Sequence, residues 1–124
     1  EELTEAGIGF ALASCGSRSR VLYILSQLQI HDRFEAIVTA DDVRQGKPHP
    51  EIFCKAADQL GASYSDLLVC EDAVSGVKAA KAAGIKCLGV AESARAGDLL
   101  EAGADRVVPD FSSMSLPQLQ ALFA

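Results

Sequence analysis

Short apolar runs alternate with helix-length segments along all 124 residues, and that alternation leaves few folds open. Ile8 to Ala13 reads as a buried strand. Ser17 to Leu28 reads as a helix, with Val21, Leu25 and Leu28 three or four residues apart and Ile24 beside them. Ala36 to Thr39 is a short strand, Pro50 to Leu60 a helix ended by Gly61, and Leu67 to Cys70 a strand. Ser75 to Ala83 is a helix closed by Gly84, and Lys86 to Val90 a strand. Ala94 to Ala102 is helical and stops at Gly103, Arg106 to Val108 is a strand, and Leu116 to Phe123 a last helix. Glu1 to Gly7 reads as the tail of a helix. Strands that alternate with helices predict a parallel sheet with helices on both faces, a three-layer α/β/α arrangement. The length, with 49% hydrophobic residues, predicts one domain over residues 1–124. There is no repeat, low-complexity tract or linker.

Three segments carry chemistry. Glu71-Asp72 stands where the apolar run Leu67-Leu68-Val69-Cys70 gives way to a glycine-bearing helix, Ala73 to Ala80. Adjacent carboxylates at such a junction are costly unless something cationic neutralises them. The C-terminal ends of strands in α/β sheets are where ligands bind, and Mg²⁺ prefers carboxylate oxygens and a substrate phosphate. The alternative is a helix N-terminus decorated with acids, which the helix dipole favours. Ser14 ends the run from Ile8 and precedes the small-residue turn Cys15-Gly16-Ser17. A hydroxyl beside backbone N–H groups at a helix start makes an anion cradle; the alternative is a serine N-cap at Ser14 or Ser17. Lys47 lies between Gly46 and Pro48 in a constrained loop, with Pro50 suited to the first turn of the next helix. A lysine there can deliver a point charge to a phosphate or to clustered carboxylates, or be one more exposed loop lysine.

Charge and thiols narrow the partners. The formal net charge of −6 argues against DNA, RNA and anionic membranes, though not against a phosphorylated substrate bound by a local lysine and metal. No apolar stretch is long enough to cross a membrane, and no secretory leader stands in this sequence. Cys15, Cys54, Cys70 and Cys87 form no C-x-x-C pair and no zinc-like spacing. Cys70 and Cys87 fall in strand-like runs and are expected to be buried thiols. Cys15 as a nucleophile would want a histidine, and neither His31 nor His49 is placed beside it by the sequence. Reduced thiols point to a cytoplasmic protein.

The strand ending in Ser14, the loop Gly46-Lys47-Pro48-His49-Pro50-Glu51-Ile52-Phe53, and Glu71-Asp72 before Ser75-Gly76 together resemble motifs two, three and four of the haloacid dehalogenase-like hydrolase superfamily. Within it the chain looks most like the β-phosphoglucomutase and phosphoglycolate-phosphatase branch, with the resemblance running from Leu3 to Val90. It implies a Rossmann-like core and phosphoryl transfer on a small phosphorylated metabolite through an aspartyl-phosphate. It implies that Ser14 and the backbone N–H of Cys15 bind the phosphoryl group. By the same resemblance Lys47 contacts the phosphate and the nucleophilic carboxylate, and Asp72 holds Mg²⁺ with Glu71 close by.

One departure bears on all of this. The family's first motif, Asp-x-Asp-x-(Thr/Val), carries the nucleophile and the acid/base, and no Asp-x-Asp occurs in this sequence. Asp41-Asp42 matches the loop before the lysine motif instead and reads as structural. The cap domain of the family has no counterpart either. The chain is expected to be a partial core, residues 1–124 with motifs two to four, inactive alone. It would be a fragment, half of a two-polypeptide protein, or a short natural derivative; Glu1 in place of Met favours a fragment. The family's first strand lies between the strands of Ser14 and Glu71. Its loss predicts a gap closed by homo-oligomerisation or a strand swap, the alternative being that the remaining strands pair directly. A non-catalytic phosphate- or metal-binding or oligomerisation module on the same scaffold is the rival reading. A receiver-like domain would need an acidic pocket near the N-terminus, where only Glu1, Glu2 and Glu5 stand.

Overall fold

A computed structural model describes residues 6–123 of the chain. The expected strand–helix alternation is present, as β1 Ala11–Ala13, α1 Arg18–Leu28, β2 Ala36–Val38, α2 Glu51–Leu60, β3 Leu68–Glu71, α3 Val74–Ala82, β4 Lys86–Val90, α4 Ser93–Glu101, β5 Arg106–Val108 and α5 Leu116–Ala121. The expectations for Glu1 to Glu5 lie outside the described residues. One strand and the last helix are shorter than the sequence suggests. Ile8 to Phe10 stays irregular, and the last helix stops at Ala121.

Local chemistry sets the boundaries. Ser17 caps α1, its hydroxyl accepting from the Arg20 N–H at 3.4 Å. Pro50 is the N-cap of α2 rather than its first turn, and Gly61 closes that helix at φ 65°, where a side chain would be strained. Helix α2 buries Ile52, Phe53, Ala56 and Ala57, one stripe at helical spacing.

All strand pairs are parallel, but the sheet comes in two parts. β1 pairs with β2, aligning Ala11 with Ala36 and Ala13 with Val38. β3, β4 and β5 form the other part in that order, with Glu71 opposite Gly89 and Val90 opposite Val108. β1 and β3 share no ladder, so the alternative of direct pairing does not hold. The halves are joined by helices: α2 packs on β1 and β2, α3 on β3 and β4, and α4 on β4 and β5, while α2 touches α3 and α3 touches α4. One apolar cluster runs through this row, including Val38, Ile52, Phe53, Val77, Ile85, Cys87 and Leu99, with Ala13 and Val69 against it. Cys87 is buried as expected. Cys70 is exposed, because β3 has no strand beside it on that edge.

Two aspartates stitch loops to this frame. Asp42 accepts from the Thr39 N–H at 2.8 Å, from the Thr39 hydroxyl at 3.0 Å and from Arg18 at 2.9 Å. Those bonds satisfy Thr39, the buried polar side chain of the core. Asp41 accepts from the Arg18 N–H at 2.7 Å, in the first turn of α1. Asp105 accepts from Lys81 at 2.8 Å and from the Cys87 N–H at 2.8 Å, tying α3 to β4. No helix among the described residues is long and apolar enough to cross a membrane.

The Thr39 N–H, then the Thr39 hydroxyl and Arg18, hold the Asp42 carboxyl below its ordinary value. Burial pushes the Asp105 carboxyl up, but Lys81 and the Cys87 N–H outweigh it and the net shift is downward. Both groups bind a proton less readily folded than unfolded. Their contribution to stability is therefore complete above the ordinary aspartate value of about 3.9 and is lost as pH falls through the lowered folded values. Thermal unfolding should show a melting temperature that declines below about pH 4, and less steeply in Asp42→Asn and Asp105→Asn variants that are destabilised at neutral pH.

Candidate functional site

At the C-terminal ends of β1 and β3 the two half-sheets border a cleft of about 550 Å³. Ser14, Cys15, Lys47, Glu71 and Asp72, the five residues singled out from the sequence, all line it, with Ser75 beside them. Ser14 directly follows β1, and its N–H donates to the Val38 carbonyl at 2.9 Å, which fixes its backbone against β2. Its hydroxyl accepts from the Gly16 N–H at 3.1 Å, so the O–H proton is left to donate. Because Ser17 takes the capping role, Ser14 is released from it.

Lys47 crosses the cleft. Its Nζ donates to Glu71 Oε2 at 2.6 Å and to the carbonyl of Ala13 at 3.3 Å, and it lies 5.1 Å from the centre of the Phe53 ring. The two charged side chains are only 9% and 10% exposed, so this pair stands largely out of water. The exposed-lysine alternative is thereby set aside. The loop that delivers Lys47 contains a cis Lys47–Pro48 bond. It is anchored by Glu51, which accepts from the N–H groups of Arg44 and Gln45, both at 3.0 Å.

Glu71 is the last residue of β3 and Asp72 the first beyond it. Neither is a capping acid: α3 starts at Val74, with Ala73 as N-cap, no side-chain cap and no acid in its first turn. The Asp72 side chain has no hydrogen-bond or ion-pair partner among the described residues and is exposed. Its backbone carbonyl accepts from Arg95 Nη2 at 2.6 Å, which pins the loop from the start of α4. Gly76 explains how Glu71 reaches Lys47. A Cβ built on Gly76 would lie 2.0 Å from Glu71 Cδ, so the carboxylate lies in the space that only glycine leaves open. Arg95 was not singled out from the sequence, and Gly76 stood there only as part of the Ser75-Gly76 motif, without a role. Gly76, five residues after an acid at a strand end, was the available signal; Arg95 offered none.

The cleft suits hard, anionic chemistry. No group of three or more His, Cys, Asp or Glu side chains among the described residues could hold a metal by itself. Asp72, with Glu71 adjacent, offers the one or two carboxylates that Mg²⁺ takes when waters and a phosphate complete its octahedron. The donor set therefore fits Mg²⁺ and not a closed structural cage. Two of the thiols are held in their neutral form. Although Cys70 is exposed at the open edge of β3, the protein packed around it and then the Glu71 charge push its thiol up, and burial carries Cys87 to about 12. No histidine lines the cleft. His31 meets Asp32 at 3.4 Å, and His49 Nδ1 accepts from the Glu51 N–H at 3.1 Å.

The haloacid dehalogenase-like hydrolase profile matches residues 1–90. A haloacid dehalogenase-like hydrolase domain-containing protein of Arabidopsis thaliana is 35% identical over 98% of this chain and 39% of its own length. A phosphorylated carbohydrates phosphatase of Thermotoga maritima is 40% identical over 82% of this chain and 48% of its own. Among solved structures, a candidate β-phosphoglucomutase from Thermotoga maritima aligns with a TM-score of 0.81 and 38% identity, over 86% of this chain and 50% of that one. The chain thus spans two fifths to half the length of these relatives.

Two glycines in helix interiors make a paired test of the site's architecture. Alanine at either position gains up to about 1 kcal/mol of helix propensity. At Gly97 in α4 an added Cβ meets nothing within 4 Å, so Gly97→Ala should raise the urea midpoint. At Gly76 the overlap with Glu71 should cost about 1–3 kcal/mol and outweigh that gain, so Gly76→Ala should lower it. The ion pair gives a second test. Lys47→Met or Glu71→Gln alone leaves one group unmatched and should cost about 2–4 kcal/mol in denaturant titrations. The double variant should recover much of that loss.

Proposed function

The chain belongs to the haloacid dehalogenase-like hydrolase family, among its phosphatases and phosphomutases, and from that membership we propose that it supplies the phosphate- and metal-binding part of a phosphoryl-transfer site. The observation that carries this reading is the convergence of Ser14, Lys47 and Asp72 on one cleft at the strand ends. The substrate would be a small phosphorylated metabolite.

In this reading the Ser14 hydroxyl donates to a phosphoryl oxygen, with the Cys15 N–H beside it and the uncapped start of α3 across the cleft. Lys47 turns its ammonium between Glu71 and the phosphate, placing positive charge where negative charge develops. Asp72 and Glu71 would hold Mg²⁺, which when bound neutralises the transferring phosphoryl group. Arg95 holds the Asp72 backbone still while its carboxylate faces the cleft. The chemistry would pass through an aspartyl-phosphate. Of the carboxylates of the cleft, Glu71 is paired with Lys47, and Asp72 would be taken up by the metal. The sequence contains no Asp-x-Asp, so the chain alone should bind and not turn over. A cytoplasmic setting belongs to this reading and is supported by four unbridged cysteines.

The missing Asp-x-Asp equally favours a second reading, a non-catalytic module that binds phosphate or metal. Calorimetry with inorganic phosphate in the presence of Mg²⁺ should show binding to the 124-residue chain. Ser14→Ala should weaken that binding roughly fivefold, the equivalent of one net hydrogen bond of about 1 kcal/mol. A generic phosphate ester should not be hydrolysed. Turnover by the chain alone would show that its own residues include a nucleophile, and absence of phosphate binding would remove the anion cradle.

A further inference from the structure

Lys47 reaches the cleft from a loop held at two points, and both run through Glu51. Ahead of the lysine, the Glu51 carboxylate accepts from the N–H groups of Arg44 and Gln45, both at 3.0 Å. Behind it, the Glu51 N–H donates to His49 Nδ1 at 3.1 Å. The His49 N–H closes the turn on the Gly46 carbonyl at 3.0 Å. A side-chain acceptor that takes the N–H two residues on is the device by which Asn, Asp and Ser set turns and helix starts. Here an imidazole fills that place, and it differs in one respect. Its Nδ1 accepts only while the ring is neutral; in the imidazolium both nitrogens donate. His49 is exposed, so protons reach it from solvent, and histidine side chains change charge between about pH 5 and 8.

We propose that His49 is a positioning residue for Lys47: the neutral imidazole fastens the loop that presents the ammonium to the cleft, and protonation unfastens it. Once Nδ1 carries a hydrogen it meets the Glu51 N–H donor to donor, and the bond is lost. The imidazolium is then drawn to the Glu51 carboxylate, the same group that accepts from Arg44 and Gln45. The Gln45 N–H first, then the Arg44 N–H and the charges of Lys55 and His49, hold Glu51 below its ordinary carboxylate value, so it is still charged when His49 takes a proton. The other charged groups from Val43 to Lys55 are Arg44, Lys47 and Lys55, all cations. Asp42, just before the loop, is taken by Thr39 and Arg18, and Glu71 by Lys47. Glu51 is therefore the anion left for the imidazolium, and protonation acts on both fastenings at once. These bonds stand whatever the cleft binds; only the effect on anion affinity rests on the phosphoryl-transfer reading.

NMR of the full chain from about pH 8 to pH 5, beside a His49→Asn variant, tests this. Asparagine keeps an acceptor for the Glu51 N–H and takes up no proton there. In the unsubstituted chain the amide signals of Arg44, Gln45 and Glu51 and the Lys47 side-chain signals should shift in step with the His49 ring protons. In His49→Asn they should hold still over that range, and in a His31→Asn control they should titrate as before. Calorimetry with inorganic phosphate and Mg²⁺ should show affinity falling roughly fivefold more in the unsubstituted chain than in His49→Asn, the loss of one net hydrogen bond; the comparison cancels the titration of phosphate itself. Arg44, Gln45 or Lys47 signals that ignore the protonation of His49 overturn the proposal, as does the same pH response in His49→Asn. Equal losses of affinity in the two proteins also overturn it. Absence of phosphate binding at every pH is instead a failure of the phosphoryl-transfer reading, and the NMR signals then decide the role of His49 by themselves.

Discussion

A lysine and a glutamate 2.6 Å apart, both largely withdrawn from water, hold the centre of this molecule together. They belong to different halves of the sheet. Lys47 arrives on the loop before α2 and also bonds the end of β1; Glu71 ends β3. With no ladder between β1 and β3, the Lys47 ammonium, bonded to the Ala13 carbonyl and to Glu71, is a polar bridge between the two strands at the cleft. Much nearby architecture serves it. Glu51 anchors the lysine loop, Phe53 offers its ring face to the ammonium, and Gly76 leaves room for the carboxylate. Ionic groups removed from water are tolerated when each is paired and hydrogen-bonded, and here the ammonium has a carboxylate, a carbonyl and a ring.

The same pair sets the electrostatics of the cleft. The protein carries a net charge of −6, yet an anion entering between Ser14 and Lys47 meets an ammonium, a hydroxyl and the uncapped start of a helix. Glu71 neutralises the lysine when nothing else does, which keeps the ammonium in place without a ligand. Asp72, one residue further on, has no such partner among the described residues. Adjacent acids thus divide their work: one is internal to the fold, and the other is free toward the cleft.

Most of this was legible in the sequence because it rests on local signals. The alternation of apolar runs and helical spacing marks every strand and α-helix but none of the short 3-10 turns, and Gly61, Gly84 and Gly103 mark helix ends with positive φ. Ser14, Lys47 and Glu71-Asp72 stand out because each sits at a strand end or in a stiff loop, where a polar residue needs a reason. Burial was less legible, since it depends on what lies alongside. Cys70 has the sequence of a core residue and the surroundings of an edge. Long-range bonds left no trace: Arg95 reaches Asp72 across 23 positions, and no local pattern announces it.

The helix row that joins the two half-sheets has a mechanical meaning. A strand ladder fixes its neighbours at about 4.8 Å and allows register shifts only in whole residues. Apolar packing among α2, α3 and α4 imposes no such steps, because dispersion and burial carry little direction. The distance across the molecule's midline is therefore a continuous quantity, tuned by the bulk of side chains such as Phe53 and Val77, while the spacing inside each half is quantised by its backbone.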